Sequence, residues 1–295
     1  MELEIVKSGG AIELTEELSE NQRTALLDLL ADEDPAIYRV IRRKLLACGS
    51  ETAQWLQPLV LSSNPTQRRH AQEILRHIGR KAADDRFLTF CLKEGEACDM
   101  EQGAWLLAQT QYPEINIEGY RALLDTFAYD LRDRSDCSGD SRRILRAINR
   151  YLFHKQGFAG NEKDYYDPEN SYLNRVMDRR TGNPINLCLV YMLVARRLKL
   201  PVAGIGLPGH FICRYQSSTS EIYIDAFNRG ELLAKSDCVQ FLVRGNHGVR
   251  LEHLAPVAAR GLLLRVCGNL HQIYLQLGRG EEATRFQRYL VALAR

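Results

Sequence analysis

One continuous stretch, residues 182–211, constrains the fold of this chain more than any other: GNPINLCLVYMLVARRLKLPVAGIGLPGHF. Asn183 is a favourable helix N-cap, and Pro184 suits the first helical position because its missing N–H would have no helical partner there. Apolar residues at spacings of three and four then predict a helix over 184–199 with one buried face. The pattern next changes to VAGIG, which is typical of a strand. The stretch therefore predicts a helix, a turn and a strand, followed by His210.

Three short segments after this helix predict a small antiparallel sheet. VAGIG, HFICRY and EIYIDAF are rich in β-branched and aromatic residues and are separated by turn residues. A four-residue loop at 216–219 would place His210, at the start of its strand, opposite Asp225. Side chains opposite one another on neighbouring strands have Cβ atoms about 5 Å apart, so we expect a His210–Asp225 pair. Cys213, three residues after His210, should point to the other face of the strand.

The residues by themselves leave two interpretations of this pair open. An aspartate that orients an imidazole is half of a catalytic triad. A structural His–Asp pair that only braces the hairpin would give the same sequence pattern.

Cys188 lies on the apolar stripe of the predicted helix, one turn after its start. A nucleophilic cysteine benefits from a helix N-terminus but also needs partial exposure. An apolar stripe favours the other interpretation, a buried and unreactive thiol.

The N-terminal part contains an internal repeat. LLADEDPAIYRVIRRKLLACG aligns with LVLSSNPTQRRHAQEILRHIG at an offset of 30 residues, which pairs Pro35 with Pro65 and Gly49 with Gly79. In each copy a proline begins an apolar-periodic helix and a glycine ends it. The pattern resembles HEAT-type helix pairs and predicts stacked antiparallel helices over residues 20–95.

The remaining segments also have helical patterns. Residues 99–134 predict two helices joined by a loop at Tyr112–Pro113, with Asp99 as the first N-cap. Another helix is predicted over about 139–156, before the polar loop GFAGNEKDYYDPENS, and a helical pair over 257–295. That pair carries residues at the spacing of one tetratricopeptide unit: Leu270, Tyr274, Gly278 and Ala283.

Composition excludes several classes of protein. The 295 residues are 45% hydrophobic and 26% charged, as in a globular protein, and a net charge of +2 gives no strong attraction for nucleic acid. No apolar run approaches the ~20 residues that span a bilayer, and a secretory signal is not evident. Eight scattered cysteines form neither CxxC nor zinc spacing. We therefore expect a cytoplasmic protein with reduced thiols and no cofactor, metal, membrane or nucleic-acid partner.

The run from YYDPENSYL through GLPGHFICRY, followed by IYIDAFNRG, closely resembles the bacterial SirB-type transglutaminase-like family. DMEQGAWLLAQTQYPEINIEGYRALLD is similar to that family's N-terminal signature, and the resemblance covers roughly residues 98–293. The DPxNSYL and GLPGHF blocks are its most specific parts. The resemblance implies an α+β, mostly helical fold with a transglutaminase-like, papain-like core and a small antiparallel sheet. HEAT-like helices would precede this core, and a TPR-like helical pair would follow it.

This architecture implies three regions along the chain. We expect a HEAT-like helical region over 1–95, a transglutaminase-like domain over 96–245 and the TPR-like pair over 246–295.

The resemblance also implies where a nucleophile would lie. Active members of the superfamily have a pattern like G-x-C-x-x-x-A before their strand histidine and aspartate. Without gaps, Gly182 matches the glycine, Pro184 the nucleophile and Cys188 the small packing residue, while His210 and Asp225 match the last two. Proline has no nucleophile, so we expect a non-catalytic transglutaminase-like protein that binds a protein or peptide, or regulates one.

The alternative is a cysteine-dependent amide hydrolase or acyltransferase. It would use Cys188 as a displaced nucleophile, His210 as the base and Asp225 to orient the base. It requires the Cys188 thiol to be exposed and within ~4 Å of a His210 ring nitrogen.

A basic cluster accompanies the helix. DRR at 178–180 and three further arginines, Arg175, Arg196 and Arg197, predict either a solvated face or a rim that binds carboxylates or phosphates.

Overall fold

The computed structural model describes residues 18–134, 140–246 and 250–295. These residues divide into two compact units. One lies within Met1–Asp84 and Thr110–Glu114, and the other within Asp85–Gln109 and Ile115–Arg295. Cys137 lies outside the described residues.

Helices make up the first unit. They are α1 (Glu20–Asp28), α2 (Pro35–Ala47), α3 (Thr52–Leu56) and the first part of α4 (Pro65–Lys93). Short 3-10 turns at Leu29–Ala31, Gly49–Glu51 and Gln57–Leu61 connect them. Their apolar faces meet in one core: Leu30, Ile41, Leu45, Leu56, Ala71 and Ile74.

Pro35 and Pro65 each begin a helix, as the repeat predicts. The residue before each proline caps the helix: the Asp34 carboxylate accepts from the amide of Ala36 (2.7 Å), and the Asn64 side chain accepts from that of Thr66 (2.9 Å). The two helix starts are therefore built by the same local chemistry.

The repeat is wrong about the second helix end. Gly49 has a φ of +78° and follows α2, but α4 continues through Gly79 to Lys93. Phe87 and Cys91 beyond this glycine are fully buried. Burial of these side chains outweighs the modest cost of a glycine inside a helix, so a glycine alone does not end α4.

The second unit contains the rest of α4, eight further helices and both sheets among its described residues. The helices are α5 (Met100–Gln109), α6 (Ile117–Arg134), α7 (Ser141–Asn149), α8 (Leu173–Arg179), α9 (Pro184–Arg197), α10 (Lys235–Arg244), α11 (Ala259–Gln276) and α12 (Gly280–Leu293). A π-helical turn, Arg150–Lys155, extends α7. 3-10 turns lie at Pro168–Ser171 and Leu251–Leu254.

Helix α9 is central to this unit. Asn183 caps it by accepting from the amide of Asn186 (3.0 Å), and Pro184 is its first residue, both as predicted. Every residue from Pro184 to Ala195 is buried, so the expectation of a single buried face was wrong. The helix packs against α6, α8 and the sheet at once, which leaves no side of this segment for solvent.

The main sheet has four antiparallel strands in chain order: β3 (Val202–Ile205), β4 (Ile212–Gln216), β5 (Glu221–Asp225) and β6 (Glu231–Leu233). The first three were predicted and β6 was not. Two short parallel strands, β1 (Ala159–Gly160) and β2 (Thr181–Gly182), fasten the loop before α8 to the start of α9.

The predicted register of the hairpin is wrong. Cys213 pairs with Ile224 and Gln216 with Glu221, so the loop is 217–220 rather than 216–219. One further step puts Asp225 level with Ile212, and His210 lies before the first residue of β4. The shift arises because Ser217 rather than Gln216 begins the turn, where its amide donates to the carbonyl of Ser220 (2.9 Å).

The C-terminal helices α11 and α12 form the predicted pair. Arg260 of α11 is buried and donates to backbone carbonyls at the ends of α12 and α4. The hydroxyl groups of Tyr274 and Tyr172 lie 2.9 Å apart, also buried. These contacts join α11 to the segment that leads into α8. No helix in the described ranges is long and apolar enough to cross a membrane.

Candidate functional site

A cleft of about 380 Å³ opens in the second unit, between the N-terminus of α9, the sheet and α10. Its polar lining includes His210, Asp225, Asn228 and Asp237. Aromatic and aliphatic side chains form much of the remaining wall: Tyr165, Leu207, Phe227, Leu233 and Phe241. Pro184 lines the same cleft.

His210 and Asp225 are in contact, as the sequence predicts. They are not paired across two strands, however, because His210 lies before strand β4. His210 Nε2 lies 2.7 Å from Asp225 Oδ2. The two side chains are 15% and 7% exposed. His210 reaches the end of β5 from a turn in which Gly209 has a φ of +72° and the His210 amide donates to the carbonyl of Leu207 (3.2 Å). The turn, and not the strand, orients the ring.

Among the described residues, the carboxylate of Asp225 accepts four hydrogen bonds. Besides His210, the backbone amides of Phe227 and Asn228 donate to Oδ1, each over 3.1 Å, and the Asn228 side chain donates to Oδ2 over 2.9 Å. Burial is the largest single influence on the pKa of Asp225 and acts to raise it. The hydrogen bond and charge of His210 and the two hydrogen bonds from Asn228 act in the opposite direction, and together they lower the pKa below its ordinary value. Asp225 is therefore held as a carboxylate.

Arg265 of α11 holds the turn that carries His210. Its Nη2 donates to the carbonyls of Leu207 (2.6 Å) and His210 (2.7 Å), and its guanidinium lies over the ring of Phe211. Burial lowers the pKa of Arg265, and the nearby Tyr165 acts in the opposite direction. Arg265 positions the backbone of the site from a helix more than fifty residues away in the sequence. No local sequence pattern around Arg265 indicates this role.

The ring of His210 lies beside two aromatic rings. Phe227 meets it edge-on with a centroid distance of 6.3 Å, and Phe241 lies at 5.9 Å. Tyr165, from the polar loop before α8, contacts Phe227 edge-on at 5.9 Å. Of the two tyrosines in that loop, Tyr165 is the one that lines the cleft.

Buried asparagine side chains hold the start of α9 and the polar loop that precedes α8. The Asn183 side chain donates to Ser171 Oγ (2.8 Å) and accepts from the side chain of Asn186 (3.1 Å). Asn170 donates to the carbonyls of Asp164 (2.8 Å) and Tyr165 (3.2 Å). The position of Pro184 and of the loop that carries Tyr165 is therefore specified by satisfied buried polar groups.

Cys188 lies outside this lining. Its side chain is fully buried, and its thiol donates to the carbonyl of Phe211 (3.4 Å). Burial, reinforced by the neighbouring thiol of Cys213, raises the pKa of Cys188 well above its ordinary value. The predicted buried thiol is what the structure contains, and a thiolate at this position is strongly disfavoured.

The arginine cluster is paired within the protein. Arg175 contacts Glu169 (3.0 Å), and Arg179 contacts Asp167 (2.7 Å). Arg197 contacts both Glu101 (2.9 Å) and Asp125 (2.5 Å). Arg180 instead lies over the rings of Phe127 and Phe158. Internal carboxylates thus occupy the predicted carboxylate-binding positions.

The cleft can bind and orient polar groups. Asp225 only accepts, so His210 Nε2 is the donor of their hydrogen bond and Nδ1 is the ring nitrogen left for a ligand. Neutral His210 would accept an N–H at Nδ1, and protonated His210 would donate to a carboxylate or carbonyl. Over the described ranges, no three His, Cys, Asp or Glu side chains lie together as metal ligands would.

Comparison with known proteins identifies the fold that surrounds this cleft. The sequence profile of the transglutaminase-like superfamily matches residues 118–268, which include α9, the whole sheet and the His210–Asp225 pair. The chain belongs to the transglutaminase-like superfamily. The narrower SirB-type family stays a prediction.

The chain is similar to two kinds of protein. The chain is 35% identical to a UPF0162 protein of Xylella fastidiosa (strain 9a5c) over 199 residues, which are 65% of this chain and 70% of that protein. It is 26% identical to a UPF0162 protein of Vibrio cholerae over 175 residues, 58% of this chain and 64% of that one. It is also 37% identical to the F-box only protein 21 of Mus musculus over 147 residues, 47% of this chain but 22% of that larger protein. No solved structure matches.

Proposed function

We propose that this transglutaminase-like protein is non-catalytic and that its cleft binds a peptide segment of a protein. The observation that supports this most is the position of Pro184. It lines the cleft together with His210 and Asp225, where the superfamily pattern would have the nucleophile. A proline there supplies neither a thiolate nor a backbone N–H.

The burial of Cys188 weighs against the hydrolase or acyltransferase alternative. That alternative requires an exposed thiol near a ring nitrogen of His210. The Cys188 side chain is fully buried and hydrogen-bonded to the backbone of Phe211. To react, it would have to leave the core of α9.

The chemistry of the cleft suits a peptide. Aromatic walls can hold an apolar side chain, and His210 and Asn228 offer polar groups for an amide or a carboxylate. Asp225 keeps the ring of His210 in one orientation. The ring can therefore bind a polar group of the peptide without a covalent step.

Restoring a thiol tests the assignment of Pro184. In Pro184→Cys, we expect a peptide-like electrophile such as an acrylamide-capped peptide to modify position 184 rapidly, and more slowly when His210→Ala is added. The wild-type protein should remain unmodified at Cys188. Rapid modification of Cys188 in the wild type would contradict the non-catalytic proposal and support the alternative.

A displayed random peptide library tests the binding role. We expect selection on the wild-type protein to enrich peptides that share an apolar anchor, and these peptides to lose binding to His210→Ala. The variant Asp164→Asn, whose exposed side chain lies outside the cleft lining, should retain them. Enrichment that His210→Ala leaves unchanged would assign binding elsewhere.

Several finer features belong to the same proposal. We regard the helices of the first unit as HEAT-like and α11 and α12 as TPR-like, within functional regions 1–95, 96–245 and 246–295. The SirB-type assignment and a cytoplasmic location belong to it as well, and the seven described cysteines, which are buried free thiols, support the location.

A further inference from the structure

A second cavity of about 510 Å³ lies beside α7, its π-helical extension and the segment that leads into β6. We call it the basic groove. Five basic side chains line it: Arg142, Arg146, Arg150, His154 and Arg229. All five are exposed. Glu231 is the one acidic residue among the described lining residues.

These basic groups are not neutralised by the residues that the structure describes. In the described part of the chain, none of the four guanidinium groups has an ion pair or a side-chain hydrogen bond. The contrast with the paired cluster around Arg179 and Arg197 is direct. Like charges four residues apart on a helix repel each other, so negative charge supplied by a ligand would stabilise the row formed by Arg142, Arg146 and Arg150.

We propose that the basic groove binds an acidic, extended peptide segment of a partner protein. The proposal rests on residues other than those of the cleft.

The spacing of the row fits an extended peptide. Residues four apart on a helix are separated by about 6 Å along its axis. Alternate side chains of an extended chain, which share one face, are separated by about 6.6 Å. Carboxylates on every second residue of a partner can therefore meet Arg142, Arg146 and Arg150 in turn.

The other lining groups favour a peptide over a nucleic acid. The carboxylate of Glu231 lines the groove as an acceptor, which a peptide N–H satisfies and a phosphate oxygen does not. No Phe, Tyr or Trp lines the described groove, although stacking on such rings is how single-stranded nucleic acids are usually held.

The basic groove adjoins the cleft at one residue. Asn228 lines both cavities and donates to Asp225. A partner segment in the basic groove would thus lie next to the segment that holds the His210–Asp225 pair. The two cavities nevertheless use different side chains for recognition, so each can be altered separately.

Fluorescence anisotropy on the full-length protein tests the inference. The probe is a fluorescein-labelled peptide of alternating glutamate and serine, with a glutamine-for-glutamate peptide as its neutral counterpart. We expect Arg146→Glu combined with Arg150→Glu to weaken binding by about tenfold or more, and the neutral peptide not to bind. Rising salt should weaken the wild-type interaction.

The matched control is Arg43→Glu combined with Arg69→Glu. Both arginines are exposed on helices outside the groove, and the pair changes the net charge by the same amount. The control should bind like the wild type, and circular dichroism should show that both double variants are folded. Equal binding by the two double variants would overturn the proposal.

Further binding measurements identify the chemical class of the ligand and the cavity that binds it. A labelled oligothymidylate of equal charge, or inorganic phosphate as a competitor, should bind more weakly than the acidic peptide; the reverse order would overturn the peptide assignment. His210→Ala should leave binding of the acidic peptide unchanged. Loss in His210→Ala without loss in the groove variant would overturn the groove and assign the peptide to the cleft.

Discussion

The imidazole of His210 donates from Nε2 to Oδ2 of Asp225 across 2.7 Å, and it does so from a turn outside strand β4. Arg265 anchors that turn by donating to the carbonyl of His210 (2.7 Å). The pair thus depends on contacts from α11 as well as on the two strands, and this dependence makes the site sensitive to residues that never enter the cleft.

Asp225→Asn should destabilise the protein by about 1–3 kcal/mol at neutral pH, because a buried carboxylate that accepts four hydrogen bonds is lost. The folded state lowers the pKa of Asp225, so this stability is fully present above its ordinary pKa near 3.8 and is lost as pH falls through the folded value. Urea denaturation of both proteins at pH 7 and below pH 4 measures the effect. The difference in free energy of unfolding between wild type and Asp225→Asn should be smaller in acid.

Asp164→Asn is the matched control for that measurement, since the side chain of Asp164 is exposed and does not line the cleft. Its free energy of unfolding should follow the wild type at each pH. A gap between wild type and Asp225→Asn that is constant with pH would show that the ionisation of Asp225 is not coupled to folding.

Cys188 should resist alkylation in the native protein. Its thiol is fully buried and its pKa is raised well above the ordinary value, so the reactive thiolate is scarce. Iodoacetamide treatment followed by mass spectrometry, with and without denaturant, maps the labelled cysteines. Labelling of Cys188 at or above the rate of a free thiol under native conditions would refute the buried assignment.

Gly230→Ala should be more destabilising than Gly157→Ala. Both glycines have a positive φ, +77° and +76°. A Cβ at Gly230 would lie 2.5 Å from Cγ of Asn149, whereas one at Gly157 would have nothing within 4 Å. The left-handed backbone costs about 1–2 kcal/mol in each variant. Crowding should add about 1–3 kcal/mol for Gly230→Ala alone.

Thermal and urea denaturation of the two glycine variants measure this difference directly. Equal losses of stability would mean that the segment around Gly230 relaxes away from Asn149 and does not hold the wall of the basic groove.

Arg260→Met should destabilise the protein by about 3 kcal/mol or more. Arg260 is 8% exposed, and its guanidinium donates to four backbone carbonyls: those of Cys91 (2.9 Å), Glu94 (2.7 Å), Ala292 (2.7 Å) and Leu293 (2.9 Å). Methionine keeps much of the apolar volume but leaves these acceptors without donors. Urea denaturation measures the loss, and Arg250→Met, at an exposed position, should be near neutral. A neutral Arg260→Met would show that water replaces the guanidinium.

Local sequence signals determined much of the secondary structure of this protein. The Asn183 cap and Pro184 define the start of α9, and the β-rich segments after it became strands β3, β4 and β5. Asp99 caps α5 as predicted, because its carboxylate accepts from the amide of Glu101 (2.8 Å). Such features depend on residues within a few positions of one another, so the sequence alone can specify them.

The tertiary structure decided the features that depend on contacts between residues far apart in the sequence. The register of β4 and β5 follows from where the turn begins, and a shift of a single residue there moved His210 out of the sheet. The continuation of α4 through Gly79 follows from the burial of Phe87 and Cys91. The anchoring of the His210 turn by Arg265, and the difference between paired and unpaired arginines, follow from side chains brought together across the fold. Local propensities are worth a few tenths to about one kcal/mol per residue, so packing and long-range hydrogen bonds override them wherever the two disagree.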